Sequence, residues 1–312
     1  MNSDSRTSAV TVMEVSPRDG LQNESRQLTT EQKLELIDRS LASGAKRIEA
    51  TSFVHPKIVP QMADAEAVCL GLPQRGDVIY TGLVLNRRGY ERLLAAERLD
   101  EAGIVVPATD TFGSRNQGMT TADGVDMARD ILLDAGRRGL RAQVTIAVAF
   151  GCPFEGDVDP ARIIDLAHAL ADAGPVELAL ADTIGVGVPG QVRELFAALR
   201  DALGDALPLR AHFHDTRNTG IANAYAALEA GVATLDASMG GIGGCPFAPN
   251  ATGNIATEDL VYMLNRSGID HDLDLAVLLE SAAWLEEALG KPLPSSLLRA
   301  GDFEALPPDD GD

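Results

Sequence analysis

The sequence predicts an α/β fold, a TIM (β/α)8 barrel with additional C-terminal helices. Three observations carry this expectation. Eight short β-rich runs recur along the chain, and Ala- and Leu-rich stretches with apolar residues at helical spacing lie between them. Glycine-rich and polar clusters follow many different strands, as they do where strand ends surround one barrel mouth. An open doubly wound sheet is the alternative, but it would collect such clusters at a single switch point. A length of 312 residues, 45% of them hydrophobic, suffices for one domain with a sizeable core.

The strands are expected at Val10–Val15, Arg47–Phe53, Asp77–Leu85, Gly103–Ala108, Gln143–Phe150, Val176–Asp182, Leu209–His214 and Thr234–Met239. The first helix is read over Glu31–Ala42. Thr29-Thr30 supplies its N-cap and Ser43-Gly44 its stop. Ala161–Ala173 has the same helical spacing. From Thr257 to about Glu304 the pattern is helical without a strand, which predicts helices packed outside the barrel. Residues 1–8 and 306–312 read as disordered, leaving 9–305 as a single barrel domain including the C-terminal helices.

Charge and cysteine usage narrow the function. Lys plus Arg total 26 against 46 for Asp plus Glu, a net charge of -20. That balance argues against nucleic acid or an anionic membrane as partner, because a polyanion requires a basic footprint. No apolar run approaches the ~20 residues of a membrane-spanning helix. The opening residues lack the plan of a secretory or transit segment. Cys69, Cys152 and Cys245 are odd in number, far apart and form no CxxC, so a disulfide framework is not expected. The chain reads as a cytoplasmic protein.

If the barrel closes, side chains at the strand ends meet at one mouth. His212 and His214 stand two apart on a strand and therefore point to one face, where both can reach one metal ion. The plainer alternative is a histidine pair satisfying buried hydrogen bonds. Directly after the first strand, Ser16 to Glu24 offers Asp19 as a carboxylate ligand and Arg18 as a fixed cation. A capped turn with a surface ion pair would explain that segment too. Asp19, His212 and His214 together make a mixed oxygen and nitrogen set that suits Mg²⁺, Mn²⁺, Fe²⁺ or Zn²⁺. After the last strand, Gly240 to Asn254 carries five glycines among fifteen residues. Such a segment can approach a ligand closely or move as a lid. Cys245 at its centre is available as proton donor or nucleophile, and Asn254 offers an amide oxygen to the metal. A simple turn or a phosphate cradle competes with that reading. Glu49 and Asp182, at further strand ends, are acids for catalysis or for pairing with Arg18 or a histidine. Cys69 sits in a helical context and reads as a buried hydrophobe.

Taken together, these segments resemble hydroxymethylglutaryl-CoA lyases, of the barrel metallolyases that also include isopropylmalate and homocitrate synthases. The matching stretches are Val15 to Glu24, Ile48 to Phe53, Pro56-Lys57, Val59 to Asp64, Gly151 to Gly156, Asp182 to Gly187, His212 to Asp215 and Gly240 to Leu260. The resemblance implies that Asp19, His212, His214 and Asn254 hold a divalent metal, Mg²⁺ or Mn²⁺. It implies that Arg18 stabilises an enolate, that Cys245 is the catalytic cysteine and that Glu49 and Asp182 are active-site acids. Gln22, Ser52, Gly243, Gly244 and Glu258 would contact substrate. The implied reaction is retro-Claisen cleavage of hydroxymethylglutaryl-CoA to acetyl-CoA and acetoacetate, with Asp182 or a metal-bound water as base for the alcohol. No organic cofactor beyond the CoA-linked substrate is implied, and the assembly would be a homodimer.

The chain departs from the commonest family pattern at His55 and Ile58, at Ser25, and in part over Pro107 to Asn116. A different 3-hydroxy-3-alkyl-acyl-CoA, such as citramalyl-CoA, is therefore an alternative substrate. A condensing relative is a further alternative, although it lacks the Gly-Gly-Cys-Pro loop and usually carries another C-terminal domain. A metal oxygenase would leave Cys245 and Arg18 without a task. A catalytically silent binding protein would not need ligands, cation and cysteine together.

Overall fold

A computed structural model describes residues 9–244 and 253–303. The β-rich runs become β1 (Thr11–Glu14), β2 (Arg47–Ser52), β3 (Ile79–Val84), β4 (Glu101–Pro107), β5 (Arg141–Ala147), β6 (Leu178–Asp182), β7 (Leu209–Phe213) and β8 (Thr234–Ala237). They are parallel, pair in chain order, and close into a barrel as β8 pairs with β1. The open-sheet alternative is thereby excluded. Most strands stop one to three residues before their sequence-predicted ends, since the chain leaves the ladder early to build the loops of the mouth.

Around the barrel lie α1 (Thr30–Ala42), α2 (Ala65–Gly71), α3 (Arg87–Ala96), α4 (Asp110–Asn116), α5 (Thr121–Arg138), α6 (Pro160–Ala171), α7 (Pro189–Leu203), α8 (Gly220–Glu229), α9 (Thr257–Ser267), α10 (Leu275–Leu289) and α11 (Leu297–Ala300). The first begins as the sequence requires: the Thr29 side chain accepts from the Gln32 N–H, and the Gln32 side chain accepts from the Thr29 N–H. Leu36 and Ile37 then face inward, fully buried. One expectation is corrected at the C-terminal end. The helix α9 follows β8 and packs against α8, so it is the helix of the eighth βα unit rather than an external addition. Among the described residues α10 and α11 are the additions, and α10 lies across α1 and α9 on a core that includes Leu21, Met62 and Met239. The main core fills the space between strands and helices, with Phe150 between Phe196 and Phe213. Cys69 is buried, and burial pushes its thiol up to about 12, as befits a hydrophobe.

The inside of the barrel is unusual in being charged. Branched aliphatic layers normally fill a TIM barrel. Here Arg47 on β2 binds Glu177, just before β6, with both oxygens at 2.9 and 3.0 Å, and reaches Glu101 on β4 at 3.2 Å. Arg210 on β7 binds Glu177 at 2.9 Å. All four side chains are buried, and each charge is met by an opposite one, as a low-dielectric interior demands.

No helix among the described residues is long and apolar enough to cross a membrane. The predicted disordered ends, residues 1–8 and 306–312, lie outside the described residues, as does Cys245.

Candidate active site

The sequence after β1 turns at once. The Gly20 N–H donates to the Val15 carbonyl at 3.1 Å, closing a single π-helical turn over Ser16–Gly20. This turn carries Arg18 and Asp19 over the barrel mouth. Its root is fixed by Glu14, a buried carboxylate that accepts from Ser16 N–H, Met239 N–H and the Thr257 hydroxyl. The first βα loop is thus tied to the loop after β8.

Behind that turn, β7 presents His212 and the residue after it presents His214. Their Nε2 atoms stand 3.9 and 4.0 Å from Asp19 Oδ2. One ligand atom from each of these three residues falls within 4.8 Å of the others, a spacing a single cation can bridge. Residues 253–256 run alongside β7, with Ile255 N–H donating to Phe213 O, and set Asn254 beside His214. The Asn254 amide nitrogen donates to Asp19 Oδ2 at 2.9 Å, while its Oδ1 is buried without a partner. An orphaned amide oxygen at the edge of a carboxylate and two imidazoles fits a divalent cation, which would supply the missing contact. Gly243 makes this crowding possible: its φ is +110°, and a Cβ there would lie 2.4 Å from Asn254 Nδ2 and 2.9 Å from Asp19 O.

Electrostatics favour the same arrangement. Burial opposes ionisation of Asp19, but Arg18 and the two histidines outweigh it and hold the carboxyl well below its usual range. Burial and the neighbouring His212 drive His214 down to about 3, so its imidazole is neutral with a lone pair to give. Arg18 is gripped by two carboxylates, with Nε on Glu49 Oε2 at 2.6 Å and Nη1 on Asp19 Oδ1 at 2.5 Å. Burial raises the Glu49 carboxyl, and Arg18 opposes that rise.

These groups line one side of a cavity of about 140 Å³. Leu83, Leu85, Val105, Phe112 and Ala147 form an apolar wall, and Gln143, Thr145 and Arg210 lie among the lining. Of the predicted site residues, Arg18, Asp19, Gln22, Glu49, His212, His214 and Gly244 line it, and Asn254 touches Asp19 from the side.

Several others are placed elsewhere. Asp182 is fully buried and does not face the cavity: its oxygens accept from the Val186 and Gly187 N–H groups at 2.9 Å each, which shapes the loop after β6. Both oxygens are thus engaged in that loop, and Asp182 is not among the residues that line the cavity. Glu258, expected at the substrate, is fully buried and binds the Gly240 N–H with both oxygens at 3.1 Å. Ser52 is buried at the end of β2, and neither it nor Gly243 lines the cavity. The departures at His55 and Ile58 lie on exposed loop surface, whereas Phe112 and Asn116 of the partly matching segment reach the lining.

Sequence reasoning missed Asp236, which lines the cavity and faces His212 Nδ1 at 3.0 Å, and Arg210. It also missed Asn23, whose amide holds the Gly244 carbonyl at 2.7 Å. The available signal was parity. Arg210 shares its strand face with His212, and Asp236 stands level with His212 on the neighbouring strand.

Comparison with known proteins points the same way. The HMGL-like family model matches residues 9–284, and that family is generally dependent on a divalent metal. The chain is 44% identical to the (R)-citramalyl-CoA lyase of Chloroflexus aurantiacus, covering 94% of this chain and 95% of the relative. It is 42% identical to the hydroxymethylglutaryl-CoA lyase YngG of Bacillus subtilis, over 93% and 96%. The structure superposes on an HMG-CoA lyase from Acinetobacter baumannii, in complex with coenzyme A and 3-methylmalate, with a TM-score of 0.91 at 37% identity, covering 98% and 100% of the two chains.

Proposed function

The chain belongs to the HMGL-like family and is a carbon–carbon lyase acting on a CoA-linked substrate, and from that premise we propose that it cleaves hydroxymethylglutaryl-CoA to acetyl-CoA and acetoacetate. The observation that carries the proposal is the convergence of Arg18, Asp19, His212 and His214 on one cavity with an apolar opposite wall.

In this reaction the C2–C3 bond breaks and its electron pair passes to C2 as a thioester enolate. The C3 alcohol passes its proton to a water molecule in the cavity and becomes the ketone, and C2 takes up a proton to give acetyl-CoA. Asp19, His212, His214 and the Asn254 amide oxygen would hold the cation, Mg²⁺ or Mn²⁺. When bound, it acidifies the C3 hydroxyl and orients the substrate carboxylate. Arg18 faces the developing thioester enolate. Its fork is held by Glu49 and Asp19, so it need not reorganise as charge appears. Cys245 is the proton donor to C2 in this reading, since a thiol with reference pKa near ~8.5 is protonated at neutral pH. The apolar wall of Leu83, Leu85 and Val105 suits the 3-methyl group and excludes water from the carbanion-like carbon. A homodimer in the cytoplasm completes the proposal.

Citramalyl-CoA, yielding acetyl-CoA and pyruvate, is the second reading. Two observations favour it: the likeness to the Chloroflexus lyase, and the fact that Phe112 and Asn116, from a segment that departs from the commonest pattern, reach the cavity.

Chelator-treated protein, resupplied with Mg²⁺ or Mn²⁺ and offered both thioesters, tests the proposal. Acetoacetate as the released acid supports it, and pyruvate with no acetoacetate replaces the first reading by the second. Release of acetyl-CoA without added cation would overturn the metal assignment.

A further inference from the structure

We propose that Asp236 is a positioning residue for the cation site, setting the His212 ring so that Nε2, and not Nδ1, faces Asp19. The inference rests on reading Asp19, His212 and His214 as the ligand set.

The two histidines differ in what holds them. His212 Nδ1 lies 3.0 Å from Asp236 Oδ2, whereas the Nδ1 of His214 is buried without a partner. A carboxylate on one ring nitrogen selects the tautomer with the proton there and leaves the other nitrogen's lone pair free. The free nitrogen is the one 3.9 Å from Asp19 Oδ2.

Asp236 in turn has little freedom to swing. The oxygen that meets His212 also accepts from Arg210 Nη1. Arg210 is fixed by Glu177 at 2.9 Å, by the Thr145 hydroxyl at 2.9 Å and by the Gln143 amide oxygen. Glu177 is held by Arg47 from the opposite side. A ligand ring is therefore anchored through one carboxylate to ions inside the barrel, contributed by strands on several sides of it. Apolar packing would stabilise the barrel interior at least as well as paired charges do. What the charges add is a fixed direction for His212. Asp236 does not act as a ligand itself in this arrangement: it acts through the imidazole.

The test is Mn²⁺ binding to metal-depleted protein, followed by electron paramagnetic resonance, in the wild type and in Asp236→Asn. The amide keeps the shape and loses the charge. The expected result is a ~10–100-fold weaker Mn²⁺ affinity. The far-UV circular dichroism of the two metal-depleted proteins stays the same, which a general loss of structure would not allow. Unchanged affinity in Asp236→Asn overturns the inference while the ligand set stands. A wild type that binds no Mn²⁺ overturns both. If Asp236→Asn does not fold, ¹⁵N-histidine NMR of the unaltered protein loaded with Mg²⁺ decides instead. A downfield, slowly exchanging Nδ1–H on His212 supports the role, and its absence refutes it.

Discussion

Arg18 owes its fixed direction to two carboxylate neighbours. Its Nε and Nη groups are split between Glu49 and Asp19, which locks the planar fork in one orientation in a way the single rotating ammonium of a lysine would not reproduce. Arg18→Lys should keep a positive charge in the cavity and still lower kcat by roughly 10²–10³-fold, with a smaller change in KM. Steady-state kinetics check this, and a rise in KM alone would make Arg18 a binding group. Glu258 gives a pH-dependent prediction. Burial pushes its carboxyl up to about 7, even against the Gly240 N–H bonds. The folded state therefore holds this proton more tightly than the unfolded one does. Stability from this group is fully present below about 4.5 and is lost as pH rises to about 7. Glu258→Gln should match the wild type in thermal unfolding near pH 4.5 and exceed it at pH 8, by on the order of 3 kcal/mol. At this scale the sequence was legible where chemistry repeated itself in a short span. His212 with His214 and Arg18 with Asp19 announce themselves by adjacency. Asp236 and Asp182 do not, because a lone aspartate at a strand end reads alike whether it faces a cavity or caps a loop. Only the closed barrel shows that Asp236 does the first and Asp182 the second.

Helix and strand identity followed from local signals, and boundaries did not. The Thr29–Gln32 capping box was visible as an N-cap, and Thr29→Ala should cost about 1 kcal/mol of stability, read from denaturant midpoints, without altering kcat. Strand ends were harder, since apolar residues such as Val84 to Leu85 continue past the last ladder bond into the loop. The sequence marks no helix at the short α4 between β4 and α5. Seven residues with a central glycine give little periodicity, yet this helix brings Phe112 and Asn116 to the cavity at the barrel mouth. The eighth βα helix was read as an appendage for a related reason. A glycine-rich stretch separates it from β8, so the spacing that marks the other units is stretched there.

The whole molecule determines whether the candidate metal site exists at all. Asp19 comes from the first βα loop, the histidines from β7 and the residue after it, and β8 lies between those two strands. Cation binding should therefore stabilise the barrel as a unit. At a free concentration near 100 times Kd, the gain is about 2.7 kcal/mol. Adding Mn²⁺ to chelator-treated protein should raise Tm by a few degrees, and His212→Ala should abolish the rise. The barrel class was legible because eight strand–helix alternations leave few architectures, whereas the charged interior was not. Arg47, Glu101, Glu177 and Arg210 are scattered over the sequence, and nothing local distinguishes them from surface ions. The seam has a further consequence. Thr11 to Glu14 pair with Thr234 to Ala237, and Val10 N–H reaches Asp270 O. A nascent chain with seven strands off the ribosome already contains the aspartate and both imidazoles, yet nothing spans the gap between its first and seventh staves. Capture of a cation at this site would thus come late in biogenesis, following the last stave rather than guiding the earlier ones.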